Sequence, residues 1–138
     1  MRYERKFMIQ AAHFNNEQAY KHYYSALIQP ENAVELLKTV LNNIHGHNFF
    51  ITVEVSGTFG KLPWLIDDIS LTDVVMDWDN QNLSAHRDFL KDKLRATTEN
   101  MASVLWGKLT DIWPKLRFKI TVEETPNIKA IHGDLNSI

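Results

Sequence analysis

Residues 43–50 read NIHGHNFF and lead into the alternating run ITVEVS, residues 51–56, so two histidines open an apolar strand. Side chains of a strand alternate between its two faces, which places His45 and His47 on the same side as Phe49 and the apolar residues beyond it. Because both histidines share the buried face, the stretch predicts either an internal pair of metal ligands or an internal hydrogen-bonded pair.

A third histidine lies at the end of another alternating run, YERKFMIQAAHF, residues 3–14. The pattern predicts a first strand in which His13 follows Phe7, Ile9 and Ala11 on the more apolar face. Three imidazoles with an open fourth position are the donor set of a catalytic zinc ion. The alternative, core histidines bonded to backbone carbonyls, stays open at this point.

The segment between these two strands is rich in helix formers and predicts a helical insertion at about residues 17–42. Pro30 suits the first turn of a helix, and Val34, Leu37 and Leu41 fall on one predicted apolar stripe. We expect a single domain over residues 1–138 that carries this insertion, because the length suits one hydrophobic core.

The second half of the chain predicts two helices between strands. TDVVMDW, residues 72–78, is typical of a short extended run, and Asp79 can cap a helix over residues 80–94. A further helix begins at TTEN, residues 97–100, and ends before Pro114. The final run, LRFKITVEET, residues 116–125, alternates as a strand, so the order of elements indicates an α+β fold with an antiparallel sheet covered on one side.

Glu124 is a charged residue at the end of an otherwise apolar strand face, which it shares with Phe118, Ile120 and Val122. A buried carboxylate is costly unless it is paired. It therefore predicts either a solvated strand end or an anchor for a ligand with adjacent N–H donors, such as the guanidine-like edge of a pterin or guanine.

The composition sets limits on the class of function. The chain has 138 residues, no cysteine and a formal net charge of -2, which excludes disulfides, thiolate ligands and a cysteine nucleophile. The small net charge gives no reason to expect nucleic acid or a membrane as partner. The first residues lack the apolar core of a signal peptide, so we expect a cytoplasmic protein.

Five motifs in order resemble the family of 6-pyruvoyl-tetrahydropterin and 6-carboxytetrahydropterin synthases. They are FMIQAAHF, HGHNFFITVEVSG, VVMDWDN, TTENMA and VEET, and they span nearly the whole chain. The resemblance implies the tunnelling fold, in which a four-stranded antiparallel sheet carries two helices on one face and the sheets of several subunits join into a barrel. It also implies a homo-oligomer, usually a hexamer, with active sites at subunit interfaces.

The resemblance further implies roles for individual residues. His13, His45 and His47 would bind zinc, and Glu124 would hold the pterin ring. Thr97 or Thr98 would lie nearby, although both also suit a plain helix cap. In such enzymes zinc holds the side-chain hydroxyls of dihydroneopterin triphosphate and makes them more acidic.

The sequence departs from the family at the general base. A cysteine usually lies four residues before the His-Gly-His motif, where this chain has Leu41. The Leu-Asp-His motif is also changed: LSAHRDF keeps His86, has Ala85 in place of the aspartate, and leaves Asp88 to orient the imidazole. The candidates for proton transfer are therefore water activated by the metal and His86 with Asp88.

We accordingly expect a zinc-dependent lyase that acts on dihydroneopterin triphosphate, or a close relative, by triphosphate elimination or side-chain cleavage. The alternative is a zinc- and pterin-binding homologue without synthase turnover, which the missing cysteine favours. The product and the pathway stay open between queuosine, biopterin and folate.

Overall fold

A four-stranded antiparallel sheet is the frame of the computed structural model, which describes residues 2–14, 17–57 and 67–135. The strands lie side by side in the order β1-β2-β3-β4. Their bounds are β1 (Arg2–His13), β2 (His45–Ser56), β3 (Arg117–Thr125) and β4 (Ile128–Gly133). The antiparallel sheet and the bounds predicted for the second strand are therefore confirmed.

The two faces of the sheet differ as the alternation predicts. β1 and β2 pair along their whole length, from Arg2 opposite Ser56 to His13 opposite His45. Phe7 and its partner Ile51 are buried, whereas Met8 and its partner Phe50 on the other face are 45% and 51% exposed. One face thus packs into the core and the opposite face stays open in the single subunit.

Helices cover the buried face. α3 (Asp68–Met76) and α5 (Thr98–Ile112) contribute Leu71, Val75 and a stripe of α5 residues to the core. That stripe is Met101, Leu105 and Leu109, all fully buried. The helix expected from TTEN to Pro114 is confirmed, and among the described helices none is long and apolar enough to cross a membrane.

The region expected to be a helical insertion folds as a helical hairpin. α1 (Glu17–Ile28) and α2 (Ala33–Asn43) flank a 3-10 turn at Pro30–Asn32 and pack against each other around a small apolar cluster that includes Phe14. The predicted stripe was wrong at Val34, which is 77% exposed at the tip of the hairpin, while Val40 is buried. The tip extends beyond the packed part of the hairpin, so apolar spacing alone misplaced Val34.

The run at residues 72–78 was wrongly predicted as extended, because most of it lies in α3. The carboxylate of Asp67 accepts a hydrogen bond from the Ile69 N–H and caps the helix. Leu71 and Val75, four residues apart, both reach the core. Tertiary packing on the sheet therefore outweighs the preference of β-branched residues for strands.

The helix predicted over residues 80–94 is also corrected. The chain forms a 3-10 turn at Leu83–Ala85 and a short α4 (Arg87–Leu90), with His86 in an extended conformation between them. Asn80 has a φ of 60°, which no helix continues through. Asp79 does not cap a helix; its carboxylate accepts a hydrogen bond of 2.9 Å from the Gln10 N–H on β1.

Candidate metal and ligand site

Three histidines converge at one end of the sheet. His13 ends β1 and pairs with His45, the first residue of β2, and His47 follows two residues later on the same face. The ring centroids lie 4.4 Å apart for His13 and His45, 5.1 Å for His13 and His47, and 5.0 Å for His45 and His47. One ligand nitrogen from each ring lies within 4.8 Å of the other two. The antiparallel register therefore brings together the residues that strand parity selected.

Backbone carbonyls orient two of the rings. His13 Nδ1 lies 2.7 Å from the carbonyl oxygen of Ala96, and His45 Nδ1 lies 3.1 Å from that of Asn43. A carbonyl only accepts, so Nδ1 donates in both rings and the neutral imidazole keeps its lone pair on Nε2. Burial is the largest influence on the pKa of His13. It lowers this pKa and so favours the neutral form. Such bonds through the second ring nitrogen are typical of metal-binding histidines.

His47 has a different environment. Its Nε2 is a buried atom that makes no hydrogen bond to any described residue, although the Glu124 carboxylate oxygen Oε1 lies 2.8 Å away. The contact lacks the alignment of a hydrogen bond, so a cation at Nε2 would be a better partner for the ring. Together with the two oriented rings, this nitrogen makes the donor set a fit for zinc.

Glu124 contacts one histidine of the cluster, and the segment that carries the threonines contacts another. Glu124, at the end of β3, is near His47, so strand parity placed it on the correct face. Thr97 caps α5 by accepting a hydrogen bond from the Asn100 N–H, and Thr98 is buried. Their segment is attached to the cluster through the carbonyl of the preceding residue, Ala96, which contacts His13.

His86 lies in a buried network of charges and does not belong to the histidine cluster. Its Nε2 is 3.1 Å from the Asp77 carboxylate, and its Nδ1 accepts a hydrogen bond from the Asp88 N–H. Asp88 in turn accepts hydrogen bonds from Trp78 Nε1 at 2.9 Å and Lys108 Nζ at 2.6 Å. The imidazole therefore has a partner at each nitrogen.

Asp77 and Lys108 are the members of this network that sequence reasoning missed. Asp77, His86 and Asp88 lie close enough to one another to bind a metal ion. Lys108 Nζ, within 4.0 Å of both carboxylates, already supplies a positive charge there. The sequence carries no local signal for Lys108, because it lies on α5 and meets Asp88 only through the fold.

A cavity of about 550 Å³ opens beside His47. Its walls also include the end of β1, the start of β2 and the loop at residues 80–82, which lies just before the 3-10 turn at Leu83–Ala85. Five of its lining residues carry side-chain amides: Gln10, Asn48, Asn80, Gln81 and Asn82.

Known proteins are similar to this chain in sequence and in fold. The family model described as 6-pyruvoyl tetrahydropterin synthase matches residues 2–134. A Halobacterium salinarum protein named "Probable 6-carboxy-5,6,7,8-tetrahydropterin synthase" is 35% identical over 102 residues, which cover 62% of this chain and 68% of that protein. The human 6-pyruvoyl tetrahydrobiopterin synthase is 28% identical over 112 residues, 75% of this chain and 77% of the human one.

Solved structures agree at the level of the fold. The Caenorhabditis elegans 6-pyruvoyl tetrahydropterin synthase superposes with a TM-score of 0.63 at 23% identity, covering 97% of this chain and 95% of that one. The Plasmodium vivax enzyme gives a TM-score of 0.54 at 14% identity, with coverage of 98% and 99%. The match over residues 2–134 decides the assignment: this chain belongs to the 6-pyruvoyl tetrahydropterin synthase family.

Proposed function

We propose that the protein is a zinc-dependent pterin enzyme that acts on dihydroneopterin triphosphate or a close relative, by triphosphate elimination or side-chain cleavage. The observation that carries the proposal is the cluster of His13, His45 and His47 in a chain of this family, with a buried nitrogen of His47 that makes no hydrogen bond to a described residue. These three residues would hold the zinc, which when bound polarises the hydroxyl groups of a ligand.

Glu124 is proposed to bind the pterin ring. Its carboxylate can accept two hydrogen bonds from adjacent N–H groups, and its position near His47 would place the ring next to the metal ligands. Thr97 and Thr98 are proposed to line the same ligand, because their segment follows the carbonyl that orients His13. The Thr97 hydroxyl also caps α5 by accepting a hydrogen bond from the Asn100 N–H, so it would contact the ligand while it caps the helix.

The proton-transfer group is the part of the reaction in which this chain differs from its family. No cysteine exists in the sequence. His86 with Asp88 is the titratable pair that the chain's own residues offer for this role, and it ranks second to water that a bound metal would activate; Asp77 contacts the same imidazole. Because both ring nitrogens already have partners, we expect His86→Ala to leave measurable activity.

The direct test is incubation of the zinc-loaded protein with dihydroneopterin triphosphate, followed by identification of the products by mass spectrometry. Loss of triphosphate or of a side-chain fragment would support the proposal. His45→Ala should abolish turnover through loss of the metal, whereas His86→Ala should not. If His86→Ala alone removes activity while zinc content and pterin affinity persist, His86 is the base.

A second candidate is a protein that binds zinc and pterin without synthase turnover, and the absence of cysteine favours it. This function predicts unchanged dihydroneopterin triphosphate after prolonged incubation. It also predicts saturable pterin binding to the same zinc-loaded sample, which separates it from an inactive preparation.

A further inference from the structure

The α1–α2 hairpin contacts the surroundings of the histidine cluster, yet the proposed residue roles do not use it. Tyr20 on α1 is 4% exposed, and its ring packs against Phe14, the residue that follows His13, with the centroids 4.7 Å apart. A buried tyrosine keeps its hydroxyl only where that group has hydrogen-bond partners. The partners of the Tyr20 hydroxyl therefore show what the hairpin holds in place.

The Tyr20 hydroxyl bonds to the residue that orients His13. Its oxygen accepts a hydrogen bond of 2.9 Å from the Ala96 N–H. The carbonyl of the same residue accepts the bond of 2.7 Å from His13 Nδ1. Ala96 is fully buried, and residues 94–97 belong to no helix or strand. The hydroxyl thus fixes a stretch of backbone that secondary structure does not fix.

Ser84 links the same hydroxyl to the end of β1. Its own hydroxyl is buried, accepts a hydrogen bond from the Phe14 N–H at 2.9 Å and donates to the Phe14 carbonyl at 3.1 Å. A serine hydroxyl has a single proton, so Tyr20 is the donor in its 3.1 Å bond to Ser84 Oγ. His13 is therefore held twice, through the backbone of the next residue and through the carbonyl at its ring.

We propose that Tyr20 is a positioning residue for the zinc site: through Ala96 it sets the orientation of the His13 ring and so raises the affinity of the histidine cluster for the metal. This role rests on the zinc site of the proposed function and goes beyond it, because it couples the hairpin to that site. A group that orients a ligand imidazole contributes about 10- to 100-fold to metal affinity. Tyr20 acts one group further from the metal, so its contribution lies at the lower end of that range.

The test replaces the hydroxyl and measures metal binding. Tyr20→Phe removes both hydrogen bonds of the hydroxyl and keeps the ring in its apolar cluster. We expect it to weaken zinc binding about tenfold in competition with a chromogenic chelator. The visible absorption of the cobalt-loaded protein is the second readout, because it depends on the geometry of the metal ligands. We expect the spectrum of Tyr20→Phe to differ from that of the wild type.

Two control variants separate positioning from packing. Tyr24→Phe makes the same substitution on the same helix, where the Tyr24 hydroxyl is buried and has no hydrogen bond to a described residue. It should leave the zinc affinity and the cobalt spectrum unchanged. Val40→Ala removes apolar packing from the cluster that contains Tyr20 and breaks no side-chain hydrogen bond. It should lower the free energy of unfolding of the metal-free protein and change zinc affinity less than about twofold.

Ser84→Ala is a second, independent variant, which serves if Tyr20→Phe does not fold. It removes the acceptor of the Tyr20 hydroxyl and should change zinc affinity and the cobalt spectrum in the same direction.

Two outcomes would overturn the inference and leave the zinc site of the proposed function intact. One is equal zinc affinity and the same cobalt spectrum in the wild type, Tyr20→Phe and Ser84→Ala. The other is a loss of affinity in Val40→Ala as large as that in Tyr20→Phe, which would show that the tyrosine acts through packing alone. If the wild-type protein binds no zinc, the proposed function fails together with the inference.

Discussion

At the residue scale, the Glu124 carboxylate contacts the His47 ring and is proposed to bind the ligand. We expect Glu124→Gln to weaken pterin binding by about 2 kcal/mol, because the amide no longer offers two charged acceptors to adjacent N–H donors. Glu123→Gln is the control, since Glu123 faces the other side of β3 and lies opposite Lys129 on β4. Equal, negligible effects of both changes in a binding titration would show that Glu124 does not anchor the ring.

The histidines are tested at the same scale by metal content. We expect about one zinc per chain in the wild-type protein and loss of that zinc in His45→Ala. His45 is the suitable position because its residue is exposed, whereas His13 is almost fully buried and its replacement would disturb packing. Elemental analysis of both proteins, with His22→Ala as control, decides the point. Zinc retained by His45→Ala would contradict the proposed ligand set.

The network around Asp88 acts at the scale of elements, because it joins α4 to α5. Lys108 on α5 donates to Asp88 on α4, and Trp78 donates to the same carboxylate. We expect Lys108→Met to lower the free energy of unfolding by about 2 kcal/mol near neutral pH, since it leaves a partly buried carboxylate without its cation. Lys115→Met, at an exposed position, should have little effect in the same denaturant titration.

The pH dependence of that loss follows from the pKa of Asp88. Burial raises the pKa, but the hydrogen bonds from Lys108 and Trp78 together with the Lys108 charge lower it more, so it lies below the ordinary value. The stabilisation is therefore complete above the pKa of an unfolded aspartate, about 4, and is lost as the pH falls through the lower folded value. The difference between wild type and Lys108→Met should shrink in acid; a constant difference would contradict the ion pair.

Elements with a regular period were predictable from the sequence, and those set by contacts between distant residues were not. The alternation in β2 gave the strand bounds and placed His45 and His47 on one face, and β1 added His13 by the same rule. The helix predicted in the segment between Asp77 and Leu94 was wrong, because Asn80 and His86 leave the helical conformation. Asn80 bonds to β1, and His86 contacts Asp77. The apolar periodicity predicted no strand at β4, because pairing with β3 decides where this strand forms.

Fusion of sheets between subunits is the expectation at the scale of the whole molecule. The open sheet face carries Met8, Phe50 and Ile131, each about half exposed, and β4 forms one edge of the sheet. Such a face and edge favour association with further copies. We expect light scattering at micromolar concentration to report a hexamer, about six times the 16.1 kDa chain. A monomer under those conditions would exclude a barrel and an interfacial site.

The long uninterrupted pairing of β1 with β2 has a consequence for the order of folding. The two strands are joined through residues 14–44, so their pairing must close a large loop, at an entropic cost that slows the search. The α1–α2 hairpin is local in sequence, and its early formation would bring His13 and His45 together as the first rung of the ladder. We therefore expect substitutions that weaken the hairpin, such as Val40→Ala, to slow refolding in stopped-flow fluorescence more than they speed unfolding.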